Sequence, residues 1–119
     1  MRGRAPIFIH YVHNMDRART FYEKVFDVKT SFNSPGWTTL NFETFELALH
    51  ILAPGHDDAP IPHAGLVLEV DAIEAMQVLI EENGGKMLIL REPQPNVPVR
   101  VASFVDTEGN GFDLRQEVD

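Results

Sequence analysis

FVDTEGNGFDL, Phe104 to Leu114, is the stretch on which the fold turns. It reads as a strand end, a glycine-bearing turn, and a short strand with one carboxylate, Asp113, near its middle. Its companion is FELALHI, Phe45 to Ile51, an alternating strand with His50 where a hydrophobe would be ordinary. If both close a similar unit, the chain is built twice.

Working outward from these stretches, the order of elements repeats. Ile7 to Val12 is β-rich, and from Met15 the residues Ala18, Phe21, Tyr22 and Val25 recur at helical spacing, with Asn14 or Asp16 as N-cap. Val28 to Phe32, Trp37 to Phe42 and Phe45 to Leu52 read as three strands, the first turn set by Ser34-Pro35-Gly36. Residues 53–63, rich in Pro and small polar residues, read as a linker. Ala64 to Val70 then reads as a strand, and Asp71 with Glu74 forms a capping-box pattern. The second helix carries Ile73, Met76, Leu79 and Ile80 on one face and stops at Asn83-Gly84-Gly85. Lys86 to Leu90, Val97 to Val105 and Gly111 to Gln116 complete the set.

A shift aligns the halves. Ile7 falls on Gly65 and Phe21-Tyr22 on Leu79-Ile80 at an offset of 58, while His50 falls on Asp113 at 63. The expectation is one α+β domain over 1–119, a βαβββ module over 5–52 joined by the 53–63 linker to a second over 64–117.

Composition bounds the chemistry. The 119 residues carry a formal charge of −8 and no cysteine. Disulfides, thiolate nucleophiles and sulfur-ligated metals are excluded. Residues 1–60 hold six Lys/Arg against seven Asp/Glu, and 61–119 hold four against eleven, so no basic stripe offers itself to nucleic acid. No apolar run reaches the roughly 18 residues of a membrane span. The apolar part of the opening MRGRAPIFIHYVHN is only a few residues long and contains histidine, which argues against a signal peptide, so a cytoplasmic protein is expected.

Three stretches, MDRARTFYEKVFDVKT (Met15 to Thr30), VDAIEAMQVLIEENGGK (Val70 to Lys86) and FVDTEGNGFDL, resemble the vicinal oxygen chelate superfamily, which includes glyoxalase I, bleomycin-resistance proteins and extradiol dioxygenases. Thr107 stands where that family's closing turn has proline. The resemblance implies a glyoxalase-like fold in which each module curls into a U-shaped half-barrel, paired modules form a cleft, and chains of this length form homodimers. It also implies metal ligands on the first and fourth strands of each module, which here are Ile7, His50, Gly65 and Asp113. Ile7 offers no lone pair and Gly65 no side chain, so His50 and Asp113 make an incomplete metal set.

His50 and Asp113 then read as a metal pair, as an acid/base pair, or as polar lining of a metal-free cleft. His63, two residues before Gly65, could complete a metal set if its strand extended; otherwise it ends the linker. Parity turns His10 toward the helix layer as a structural histidine, leaves His13 exposed at a turn, and assigns His56 nothing. Tyr11 and Glu69 match at offset 58, Glu69 being a candidate general base or a plain rim carboxylate. Trp37, the only tryptophan, reads as a wall for a planar ligand or a cap on the core. Arg115 shares the face of Asp113, and a salt bridge between them would explain both. Ser103 has no histidine at triad spacing.

The leading expectation is a homodimeric protein that binds a small, partly apolar or aromatic molecule without a metal cofactor. Ile7, Ile9, Tyr11, Trp37 and His50 would line its cleft, with Asp113 as polar anchor. The alternative is a divalent-metal lyase or isomerase of the glyoxalase I type. A filled-cleft interaction dimer is the third.

Overall fold

The structure is a computed structural model that describes residues 2, 7–52, 62–95 and 97–118. Most of the expected linker, with His56, lies outside the described residues, as do the first residues of the first module.

The elements run β1 (Ile7–Val12), α1 (Met15–Phe26), β2 (Lys29–Asn33), β3 (Trp37–Asn41), β4 (Glu46–Ile51), β5 (His63–Glu69), α2 (Ile73–Glu82), β6 (Lys86–Arg91), β7 (Val99–Val105) and β8 (Gly111–Glu117). They form two open four-stranded sheets, ordered β1-β4-β3-β2 and β5-β8-β7-β6. In each, the first strand pairs parallel to the fourth while the rest are antiparallel. This is the doubled βαβββ architecture, with β1 and β5 approaching each other between the sheets.

Helix α1 begins where Asn14 accepts a hydrogen bond from the Arg17 amide at 3.1 Å, and it ends at Asp27 in the left-handed region (φ 53°). Its buried stripe is Met15, Ala18, Phe21, Tyr22 and Val25. Phe112 of β8 sits among the rings of Phe21, Tyr22 and Phe26, centroids 5.9–6.3 Å away, and stacks on Phe104 at 5.6 Å. The core therefore crosses the module boundary. Truncating Phe112 to alanine would cost ~3–5 kcal/mol on the usual scale for buried phenylalanine.

Helix α2 corrects the capping-box expectation. Its N-cap is Ala72, and Asp71 does not cap it. The Ile73 amide instead donates to Gln116 Oε1 of β8 at 2.8 Å. With Ala72 as N-cap, Glu74 is the second helical residue and out of register for a box, and Arg100 binds both of its carboxylate oxygens, at 2.9 and 2.5 Å. Leu79 also departs from the expected stripe: it is 38% exposed, while Ile73 and Ile80 are fully buried. The helix stops at the expected place, with Gly84 at φ +94°.

The ladders correct the His50–Asp113 equivalence. Asn41 opposite Glu46 is the last pair before the first hairpin, and Val105 opposite Gly111 is the last before the second. His50 stands four residues beyond Glu46, whereas Asp113 stands two beyond Gly111. The counterpart of His50 is thus Arg115, and that of Asp113 is Ala48. Tyr11 opposite His50 and Glu69 opposite Arg115 keep the Tyr11–Glu69 match. The extra residues of β5 are taken up in a bulge between His63 and Val67, where Gly65 adopts φ +82°.

Candidate functional site

Alternation along β1 sends Phe8, His10 and Val12 inward and leaves Ile7, Ile9 and Tyr11 outward, 50%, 39% and 47% exposed. Because directly paired residues share a face, Tyr11, His50 and Trp37 form one row across β1, β4 and β3. The His50 ring lies 5.1 Å from Tyr11, tilted by 47°, and 5.9 Å from Trp37, edge to face. Three candidates from separate stretches are thereby brought together.

The tautomer of His50 follows from its hydrogen bond to the backbone. Nδ1 lies 2.7 Å from the Ile51 carbonyl, which can only accept, so Nδ1 carries the proton. In the neutral ring Nε2 then keeps a lone pair within the aromatic row.

On the second sheet the expected linker-end residue His63 is the first residue of β5. Its Nδ1 accepts from the Gly65 amide at 2.9 Å, so Nε2 carries the proton and donates to Asp113 Oδ1 at 3.3 Å. The partner of Asp113 is therefore His63. Arg115 reaches Glu117 instead, at 3.9 Å, which corrects the expected Asp113–Arg115 salt bridge. Glu69 is exposed and lines a pocket of about 350 Å³ with Val70, Asp71, Ala72, Ala75 and Met76, beside the start of α2.

A three-donor metal site does not fit these residues. His63 and Asp113 meet as a pair with one imidazole nitrogen already taken by an amide. Among the described residues no three His, Asp or Glu side chains gather to hold an ion.

The sequence did not disclose what the DTEGN turn does. Glu108 Oε1 accepts from the amides of His13 and Asn14, both at 2.7 Å, and Oε2 from Arg17 Nε at 2.6 Å. Burial alone would raise the Glu108 carboxyl, but the Arg17 guanidinium and the two amides overcome it and hold its pKa below the ordinary value. Asp106 Oδ1 accepts from the amides of Glu108 and Asn110, while Oδ2 accepts from the Tyr22 hydroxyl. Asn110 donates to the Tyr11 carbonyl at 2.7 Å. The turn thus caps the helix of the other module and props β1 behind Tyr11. His10, inward and 1% exposed, joins the same network through Nδ1 and the Tyr22 oxygen at 2.9 Å, the structural role its parity implied.

Solved structures share this fold. A glyoxalase/bleomycin resistance protein/dioxygenase family enzyme from Burkholderia phytofirmans PsJN superposes with a TM-score of 0.81 at 15% identity, covering 98% of this chain and 100% of that one. A mutant of the fosfomycin resistance protein FosX from Listeria monocytogenes, complexed with Mn(II) and 1S,2S-dihydroxypropylphosphonic acid, gives 0.77 at 13% identity, covering 99% and 92%. Lactoylglutathione lyase from Agrobacterium tumefaciens gives 0.72 at 15%, covering 98% and 96%. At such identities the likeness establishes the fold alone. Comparison with the curated proteins finds no match. No described helix is long and apolar enough to cross a membrane. The family model of the Glyoxalase/Bleomycin resistance protein/Dioxygenase superfamily matches residues 7–114, nearly the whole sequence, and the chain belongs to that superfamily.

Proposed function

We propose that the protein binds a small, flat, partly apolar molecule against the outward faces of its sheets, as a homodimer and without a metal. The observation that carries this reading is the Tyr11–His50–Trp37 row, which offers aromatic walls and one polar atom, while Ile7 of the same β1 face is apolar where the resemblance implies a metal ligand. Ile7 and Ile9 extend the row along β1, and Asp113, held by His63, is the polar anchor of the second sheet. Exposed Val67 of β5, next to β1 and outside the aromatic row, is apolar surface that a homodimer would cover.

Trp37, the only tryptophan, makes the test direct. Naphthalene-sized aromatic compounds should quench its fluorescence saturably, and Tyr11→Ala should weaken that binding. Light scattering should give twice the 13.4 kDa chain mass. Absence of saturable binding across such compounds would overturn the reading.

The competing reading, a divalent-metal lyase or isomerase with Glu69 as base, draws on the His63–Asp113 pair. It lacks a third donor among the described residues. Stoichiometric metal in the purified protein, lost in both His63→Ala and Asp113→Ala, would favour it.

A further inference from the structure

The polar atom in the aromatic row narrows the ligand. This step rests on the reading above. We infer that the molecule bound there is a planar aromatic carrying a hydrogen-bond donor, a phenol being the simplest, and that its O–H donates to His50 Nε2.

Four observations converge on this assignment. His50 is the middle member of a three-strand row, with Tyr11 on one side and Trp37 on the other. Its ring orientation is fixed by the 2.7 Å bond from Nδ1 to the Ile51 carbonyl, so Nε2 is the acceptor of the neutral ring. Nε2 has no partner among the described residues, whereas His63 has both nitrogens engaged and can offer an incoming ligand neither. Finally, Tyr11 is 47% exposed, so its ring retains open surface on which a planar molecule can lie.

His50 and His63 thus hold opposite tautomers, and of these two His50 alone keeps a lone pair without a partner among the described residues. An aromatic ligand seated on the row places its edge at Nε2. A donor there makes a hydrogen bond; an ether oxygen or a C–H leaves the nitrogen unsatisfied, and a carboxylate sets one lone pair against another. Discrimination among ligands of one shape therefore reads the acceptor directly.

The test is equilibrium dialysis of the full chain with 2-naphthol, 2-methoxynaphthalene and 2-naphthoate. Wild-type protein should bind 2-naphthol about fivefold or more tighter than its methyl ether, and naphthoate more weakly than naphthol. His50→Phe keeps a ring in the row and should bind naphthol and ether equally. His50→Gln, with an amide oxygen at similar reach, should restore part of the preference. Equal binding of naphthol and ether by wild type, or a preference that survives in His50→Phe, overturns the donor assignment while leaving an aromatic-binding protein. Naphthoate binding best overturns it too, since it requires a donor at Nε2. Failure of all three to bind overturns both this assignment and the reading beneath it.

Discussion

Tyr22 of α1 donates its hydroxyl proton to Asp106 of the second module across 2.6 Å, with both side chains shut off from solvent. The bond ties the two halves of the duplication at their centre. Burial, and then the Asp106 charge, push the Tyr22 phenol well above its ordinary pKa of 10.0. Because the raised value favours the neutral form in the folded chain, the stability it contributes is whole below the ordinary value and is lost as pH climbs through the folded one. The chain has two tyrosines, so Tyr11→Phe leaves Tyr22 as the only phenol. In that variant, phenolate absorbance should rise together with unfolding and not before it. Tyr22→Phe should cost ~1–3 kcal/mol in urea unfolding, by leaving a buried Asp106 oxygen without its donor.

Glu108 provides a second tie, through two amides at the start of α1 and the Arg17 guanidinium. Glu108→Ala should destabilise by ~2–4 kcal/mol, more than Arg17→Ala, whose side chain is half exposed. The carboxyl is held below its ordinary value, so its contribution is present above that value and lost as pH falls through the folded pKa. The gap in urea midpoint between wild type and Glu108→Gln should therefore narrow in acid.

On the far side of the second module, Arg100 gathers Glu74, Glu92 and Gln116. Its hydrogen bonds draw the Glu74 carboxyl down to about 2. Arg100→Met should return the Glu74 titration, followed by carbon NMR, toward the ordinary 4.5. An unchanged titration would dismiss the pairing.

Gly85 and Gly65 should respond differently to alanine. A methyl at Gly85 would stand 2.6 Å from Ile80 Cγ2, 2.8 Å from the Val105 carbonyl and 2.9 Å from Phe21 Cε1. That collision lies where α2 turns into β6, and overpacking of this kind costs ~1–3 kcal/mol or more. A methyl at Gly65 would meet no described atom within 4 Å, and the positive φ penalises alanine there by ~1 kcal/mol. Thermal unfolding should show Gly85→Ala as the more damaging change.

The doubled fold was legible because it is written in local signals. The β1 run, the Asn14 cap and the Asn83-Gly84-Gly85 stop each stand within a few residues of what they specify. Matching across the halves was less secure. The connections before and after β7 are both longer than their counterparts around β3, so counting along the chain places Asp113 where the ladder places Arg115. His63 was drawn into its strand by pairing with Gly111, a partner far away in sequence. Glu108 capping α1 from 94 residues away has no local signature at all. By contrast, the Tyr11–His50–Trp37 row was assembled from residues each already singled out by type and parity.

The most direct measurement is the affinity of an aromatic ligand such as 2-naphthol before and after the protein is stripped with EDTA. The dissociation constant should be the same in both, with Trp37 quenched to the same extent. Binding that vanishes on chelation and returns with Mn(II) would contradict it.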